Sequence, residues 1–324
     1  MRADVAAPEL VGTIRAMATD ITVRVNVNLD GTDAAGEQEA QAAMEAALRV
    51  FADVEVACTR FDPESPLMRA NASAGRWQRV DPLLFAALGE AHRAYETSSG
   101  RFDPRVLGDL VALGYDRTLP FAGGGVATSL AAEPAGRPGP WRPRFRSASG
   151  RVHLGGAGVD LGGIGKGLAV RWASEALRRY ALDHLVEAGG DCYCGGVAPG
   201  GGPWMVGVED PVGGGEPIAV LALSDRAVTT SSVRLRRWRA GATSVHHLID
   251  PATGRPGGEG LQAVTVVSDD PATAETWSKV LFLAGRRGIA SEARRAGLAA
   301  LWVADDGSLE TSSTMGRHVA WRRS

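Results

Sequence analysis

The sequence predicts an α+β fold built as a single domain over residues 1–324. Segments with alternating apolar residues occur in neighbouring pairs, and segments with apolar residues at helical spacing lie among them. The two kinds do not alternate strictly along the chain, as they would in a doubly wound parallel sheet. With 44% hydrophobic residues, the chain can bury a large core.

The first half is predicted to begin with one strand and two helices. Alternating apolar residues predict a half-buried strand over 21–27. Apolar residues at helical spacing among Ala and Glu predict a helix over about 37–54. A second helix is predicted over 82–96, because proline is well tolerated at its first position, Pro82.

A segment dense in glycine and proline is predicted to join two halves. Residues 122–150 show no periodicity and predict a long loop between a half at about 10–121 and a half at 151–324.

The second half is predicted to contain two helices and several strands. One helix is predicted over 165–181 and another over 272–284, where Asp270 can cap the first turn and Pro271 suits its start. Strands are predicted at 152–154, 159–161, 204–208, 218–223, 227–230 and 264–267.

Composition and charge exclude several classes of protein. No apolar run approaches the roughly 18 residues of a membrane span, and the N-terminal segment lacks the apolar block of a signal peptide. The net charge of -2 gives no global basis for binding nucleic acid. Three cysteines are too few for a disulfide framework. We therefore expect a cytoplasmic protein that neither inserts into a membrane nor binds nucleic acid.

The segment from His247 to Gly254 is the first candidate for chemistry. His247 and Asp250 lie at the start of a Pro/Gly turn, while Leu248 can tie the segment to a core. The imidazole pKa lies near neutrality, which suits a general base. A hairpin turn with a surface histidine is the structural alternative, and the motif alone does not decide between them.

Other segments offer groups that can bind an anion or a ring. Residues 160–167 join a predicted strand to a helix through glycines, so that backbone N–H groups and Lys166 can face a phosphate. Residues 229–232 offer four hydroxyl groups, and residues 100–104 place an aromatic ring beside a carboxylate. A polar loop begins near residue 62. Each segment could equally be a structural turn or the end of an element.

In their order along the chain, these segments resemble the FAD:protein FMN transferase family, the ApbE type. The resemblance covers most of the chain, through residues 12–13, 17–19, 65–71, 100–104, 160–167, 187–191, 229–232, 247–256 and the helix around Ala274. It implies a T-fold-like architecture of two intimately packed α/β halves, with an FAD-binding cleft between them. It also implies transfer of FMN from FAD to a Thr or Ser of an acceptor flavoprotein, release of AMP, and Mg²⁺ at the phosphates.

The resemblance also implies roles for individual residues. His247 matches the family's base and would accept the proton of the target hydroxyl, with Asp250 in the same catalytic loop. Lys166 would supply charge to the phosphates, and Phe61 and Phe102 would contact the rings. Further FAD contacts are implied at Met17, Ser65, Asn71, Arg101, Asp103, Asp160, Thr230 and Leu248.

The chain departs from the family at the implied metal site. The family has an Asp and then another Asp, Ser or Thr on the helix that here carries Glu275, Ser278 and Lys279; Gly163 falls at the same site. Glu275 and Ser278 lie about one helical turn apart and can face a cation together. An ammonium repels a divalent ion, so Lys279 either turns away or replaces the ion as the counter-charge of the phosphates.

Two other functions stay open at this level. A relative without a working metal centre would bind FAD and transfer nothing, and an FAD pyrophosphatase would use water in place of the hydroxyl. His247 and Asp250 favour transfer, whereas Lys279 favours binding alone.

Overall fold

A computed structural model of the chain describes residues 9–26, 34–121, 125–136, 139–180 and 183–323. The helices formed by these residues are α1 (Ala34–Cys58), α2 (Pro66–Ala72), α3 (Pro82–Thr97), α4 (Leu107–Ala112), α5 (Gly165–Leu177), α6 (Pro271–Leu283) and α7 (Gly285–Arg295).

The strands of the described residues are mostly short. They are β1 (Glu9–Ala16), β2 (Thr19–Asn26), β3 (Gln78–Arg79), β4 (Ala127–Thr128), β5 (Arg144–Arg146), β6 (Arg151–His153), β7 (His184–Ala188), β8 (Asp191–Gly195), β9 (Trp204–Val208), β10 (Ala219–Leu223), β11 (Arg226–Ser232), β12 (Arg237–Ala240), β13 (Thr243–His246), β14 (Ile249–Asp250), β15 (Arg255–Pro256), β16 (Leu261–Ser268), β17 (Ala299–Ala304), β18 (Leu309–Thr311) and β19 (Val319–Arg322).

The centre of the molecule is an eight-stranded sheet with the order β1-β2-β7-β8-β11-β16-β17-β18. Every neighbouring pair in it is antiparallel. The α+β prediction is therefore confirmed. Strands from both predicted halves belong to this one sheet, so the segment at 122–150 does not divide it.

Both faces of the central sheet are covered. Helices α1, α5 and α6 pack on one face, where α5 contacts both α1 and α6, and the fully buried rings of Phe51 and Phe282 belong to the core on this side. The opposite face packs against the small sheet β19-β10-β9 through residues that include Cys194 and Leu221. Because alternate residues of a strand point to opposite faces, one strand supplies both cores.

Two predicted helix starts are confirmed by their caps. The carboxylate of Asp81 accepts a hydrogen bond from the Leu83 N–H at the start of α3, and that of Asp270 accepts one from the Thr273 N–H at the start of α6. A capping side chain satisfies N–H groups that have no partner within the helix.

Three local predictions were wrong. No strand was predicted before residue 21, yet β1 forms one edge of the central sheet. The apolar Val11 lies on its exposed face, at 48% exposure, and this weakens the alternation in the sequence. Residues 159–161 form no strand, because the Asp160 N–H donates to the Pro104 carbonyl instead. The predicted loop contains β4 and β5, as well as the buried Trp141.

The ends of several predicted segments lie outside the described residues, namely Val27, Ala181 and residues 122–124 and 137–138. The helix predicted to reach 181 ends at Leu177. No helix in the described part of the chain is long and apolar enough to cross a membrane. All three cysteines are free thiols.

Candidate active site

Most of the predicted site residues line a cleft of about 1300 Å³. Met17 reaches it from the tight turn between β1 and β2, where its own φ is 52°. Those that line the cleft are Met17, Phe61, Arg101, Phe102, Asp103, Asp160, Gly163, Lys166, Thr230, His247, Leu248, Glu275 and Lys279. Segments far apart in the sequence therefore meet around one cavity.

Two residues predicted to bind FAD lie behind the cleft wall. The Ser65 hydroxyl caps α2 by accepting from the Met68 N–H at 3.1 Å, and it donates to the Thr59 carbonyl at 2.7 Å. The Asn71 side chain holds the backbone of Val159 through two hydrogen bonds of 2.8 and 2.9 Å. Their side chains thus fix the segments that carry Phe61 and Asp160.

The remaining two predicted residues also have structural partners. The Asp250 carboxylate accepts from the Ala252 N–H at 2.9 Å and shapes the turn that ends at Gly254. Ser278 is fully buried, where its hydroxyl lies 2.7 Å from that of Ser231. Neither side chain lines the cleft, so Asp250 supports the loop of His247 through the turn.

The glycines at the start of α5 allow close packing. A Cβ on Gly163 would lie 3.0 Å from the Phe102 ring and 3.6 Å from the Cδ of Lys279. A Cβ on Gly167 would lie 2.7 Å from the Pro271 carbonyl oxygen. Helix α5 therefore starts directly against the cleft and against α6.

Two ammonium groups and two carboxylates form a cluster beside this helix start. The Glu275 Oε1 lies 3.1 Å from the Lys279 Nζ and 3.6 Å from the Lys166 Nζ. Its Oε2 accepts from the Gly167 N–H at 2.7 Å. Lys166 is also paired with Asp191. Glu275 and Lys279 are four residues apart on α6, so both face the same side of that helix.

Burial and charge together set the protonation of the cluster. Burial lowers the pKa of Lys166 to about 8, although the nearby Glu275 carboxylate opposes this change. Burial also acts to raise the pKa of Glu275, but Lys279, Lys166 and the Gly167 N–H outweigh it and hold that pKa below its usual value. Glu275 is therefore a carboxylate at neutral pH.

The residues of this cluster do not fit a divalent metal ion. Lys279 does not turn away, and its ammonium lies at hydrogen-bond distance from the Glu275 oxygen that a metal would need. Both Glu275 oxygens are already bonded within the chain. Among the described residues, no three His, Cys, Asp or Glu side chains come together as metal ligands do. Of the four implied positions, Glu275 and Lys279 thus form an ion pair. Ser278 is hydrogen-bonded to Ser231 instead, and Gly163 leaves room for the stem of Lys279.

His247 follows β13 and lies at the cleft. Burial lowers the pKa of its imidazole well below the usual 6.5, and the positive charges of Arg236 and Lys279 lower it further. Its Nδ1 is buried without a hydrogen-bond partner within the described chain. The imidazole is therefore neutral at physiological pH and retains the capacity to accept a proton.

An arginine beneath the cleft organises its aromatic wall. The Arg60 guanidinium lies 4.2 Å from the ring centroids of both Phe61 and Tyr115 and 3.3 Å from the Asp160 carboxylate. Burial raises the pKa of Asp160, and Arg60 acts in the opposite direction. Phe61 is 40% exposed, so its ring is accessible from the cleft.

The two charged residues predicted beside Phe102 are already paired. Asp103 receives two side-chain hydrogen bonds from Arg105, at 3.0 and 2.7 Å. Arg101 pairs with Glu292 and leaves almost half of its side chain exposed. Thr230 shares a hydrogen bond of 2.9 Å with Thr265. Their polar atoms contribute to the cleft wall while keeping these partners.

Sequence reasoning missed three charged residues of the site. Arg60, Asp191 and Arg236 all lie at the cleft or its charged cluster. Arg236 belongs to a run of arginines that is typical of a solvated surface. The signal that could have found it is the apolar Trp238 within that run, which the structure shows to be buried.

The chain matches the model of the ApbE family over residues 17–302. It is 29% identical over 273 residues to the FAD:protein FMN transferase of Treponema pallidum, an alignment that covers 76% of this chain and 72% of the relative. It is 30% identical over 250 residues to the FAD:protein FMN transferase of Rhodobacter capsulatus; 76% of this chain is covered, but it spans only 47% of that relative. The crystal structure of the ApbE protein from Thermotoga maritima has a TM-score of 0.78 at 25% identity, with coverage of 98% of this chain and 100% of that one.

Proposed function

Because the chain belongs to the ApbE family, we propose that it transfers FMN from FAD to a Thr or Ser hydroxyl of an acceptor flavoprotein and releases AMP. The relatives from Treponema pallidum and Rhodobacter capsulatus carry the name of this activity. The fold similarity to the Thermotoga maritima protein extends over nearly the whole chain and supports the same assignment.

The observation that carries the proposal is a neutral imidazole in the same cleft as two ammonium groups. His247 is assigned as the proton acceptor, because it lines the cleft, its Nδ1 has no hydrogen-bond partner among the described residues, and it is unprotonated near neutral pH. Lys166 and Lys279 line the same cleft and supply positive charge. Phosphoryl transfer needs charge stabilisation and alignment more than covalent catalysis by the protein.

The proposed reaction transfers the FMN moiety, through its phosphorus atom, and one proton. The acceptor oxygen forms a bond to the phosphorus of the FMN moiety, and its proton passes to His247. The bond between that phosphorus and the bridging oxygen breaks, so that AMP leaves with the bridging oxygen. The positive charge of Lys166 stabilises the negative charge that develops on the phosphate oxygens during the reaction.

The aromatic and polar residues of the cleft are proposed to hold the nucleotide. The accessible ring of Phe61 and the ring of Phe102 are assigned to ring contacts. Thr230, the Asp160 carboxylate and the exposed part of Arg101 are assigned to the polar groups of the ligand.

The test is incubation of the purified protein with FAD and an acceptor flavoprotein that carries a single target Thr. Intact mass and nucleotide analysis should show acceptor labelled with FMN and an equal amount of AMP. The same acceptor with Thr→Val is the matched control and should stay unlabelled. Free FMN with AMP would instead identify a pyrophosphatase, and intact FAD on the protein would identify a binding protein.

A further inference from the structure

The chain contains only two lysines among its 35 basic residues, at positions 166 and 279. Every other basic residue is an arginine. The two lysines lie 113 positions apart in the sequence, on α5 and α6, yet both side chains face the same Glu275 carboxylate oxygen. A chain that otherwise relies on arginine thus places its two ammonium groups together, at the candidate active site.

The local packing explains why an ammonium suits these positions. A guanidinium is a broad planar fork, whereas an ammonium is a compact point charge with three donors. The stem of Lys279 passes close to Gly163, and Glu275 between the two lysines is completely buried. The space around Glu275 therefore favours the smaller cation.

Both ammonium groups are held in place and yet reach the cleft. Glu275 is fixed from behind by the Gly167 N–H at 2.7 Å, and Lys166 is also paired with Asp191. The side chains of Lys166 and Lys279 remain 17% and 16% exposed, and both line the cleft. Each ammonium has more donors than its carboxylate partners use, so donors remain for a ligand.

We propose that the paired ammonium groups of Lys166 and Lys279, fixed by Glu275, bind the diphosphate of FAD in place of a divalent metal ion. The transfer reaction then needs no bound metal, and this part of the proposal rests on the proposed function. The binding part does not, because it concerns only the diphosphate. Because both oxygens of Glu275 are already bonded, a divalent ion would have to displace the Lys279 ammonium from Glu275 and remain close to that of Lys166, which is unfavourable.

The first experiment measures metal and FAD binding by the purified full chain. Titration with Mn²⁺, followed by electron paramagnetic resonance, should show no stoichiometric binding, with or without FAD. The dissociation constant of FAD, measured by flavin fluorescence, should be the same in EDTA as in Mg²⁺. One equivalent of bound Mn²⁺, or loss of FAD binding in EDTA, would overturn the proposal.

Variants distinguish binding of the diphosphate from binding of the flavin ring. Lys279→Met should weaken FAD binding about tenfold or more, since a charge-assisted hydrogen bond is lost. Binding of riboflavin, which has no phosphate, should stay the same. Arg287→Met removes an exposed positive charge outside the cleft and is the matched control. Equal losses for FAD and riboflavin would refute a role for Lys279 at the diphosphate.

A measurement on the unaltered chain covers the case in which the variant does not fold. Reductive methylation labels amines, and mass spectrometry of peptides can follow Lys166 and Lys279 separately. FAD should protect both lysines, whereas riboflavin should not. Labelling of either lysine at the same rate with and without FAD would overturn the proposal. If FAD binds and protects but no FMN is transferred, the proposed function fails and the ammonium site stands.

Discussion

His247 is the residue on which the proposed transfer chemistry depends. The adjacent His246 uses its Nδ1 to accept the Leu248 N–H at 3.3 Å and packs edge-on to Phe282, so it has a structural role. The Nδ1 of His247 has no such partner among the described residues. A buried polar atom without a partner is costly in a folded protein and is therefore often kept for function.

We predict that His247→Ala abolishes transfer while FAD still binds. Removal of a general base typically lowers a rate by about 10²- to 10⁴-fold. The single-turnover rate of acceptor labelling should therefore fall by this factor, while the dissociation constant of FAD stays the same. His318→Ala, immediately before β19 and outside the cleft, is the matched control and should leave both unchanged. A labelling rate within twofold of the unaltered protein would remove His247 from the mechanism.

The lowered pKa of His247 predicts the acid side of the pH profile. The base works only when it is neutral, and it becomes protonated only as the pH falls through its pKa. Since burial and nearby cations put that pKa well below 6.5, the single-turnover rate at saturating FAD should be the same at pH 6.5 and pH 7.5. A rate that has already halved at pH 6.5 would show that His247 keeps an ordinary pKa in the complex.

Side-chain type made some site residues predictable and left others hidden. His247 precedes a Pro/Gly turn and Lys166 lies at a helix start with several glycines, so side-chain chemistry and backbone both indicated a site there. Arg60 was missed because its function comes from contact with Asp160, one hundred residues away. The two alternatives for Lys279 could be separated only by the distance from its ammonium to Glu275.

At the scale of elements, the contact between α5 and α6 positions the charged cluster. Gly167 on α5 lies so close to the first residues of α6 that a Cβ would meet backbone atoms of Pro271 and Ala272 at 2.7 and 2.8 Å. Its N–H also binds Glu275 on α6. The close contact between the two helices, and with it the position of the lysines that they carry, therefore requires a glycine at position 167.

We predict that Gly167→Ala destabilises the protein by about 1–3 kcal/mol, because an extra methyl group in a tight contact forces the backbones apart. Gly89→Ala in α3 is the matched control, since a Cβ there meets no atom within 4 Å. It should stabilise the protein by about 0.5–1 kcal/mol, as alanine is favoured over glycine inside helices. Urea unfolding of both variants measures the difference. Equal free energies of unfolding would show that α5 and α6 are less tightly packed than described.

Strong local signals explain which elements were predictable. The start of α6 was correct because Asp270 caps it and Pro271 opens it, and that of α3 because Pro82 suits a first turn; the structure adds the cap by Asp81. The strand β4 was missed because it contains two residues and is defined by pairing with the distant β12. Pairing of this kind depends on tertiary contacts, which hydrophobic periodicity does not report.

At the scale of the whole molecule, the central sheet joins the two predicted halves. The N-terminal strand β2 lies between β1 and β7, and β7 comes from the second half. Helix α1 of the first half packs against α5 of the second. The residues that line the cleft likewise come from both. Neither half can therefore lose its structure without exposing part of the core of the other.

We predict that the protein unfolds as one cooperative unit, and that FAD stabilises all of it. In calorimetry, one transition with equal calorimetric and van't Hoff enthalpies is expected. FAD at about 100 times its dissociation constant should add about 2.7 kcal/mol to the free energy of unfolding and shift the whole transition upward. Riboflavin at the same multiple of its own dissociation constant should stabilise the protein equally, since the gain depends only on that ratio. Two transitions, of which FAD moves only one, would show that the halves are independent despite their shared sheet.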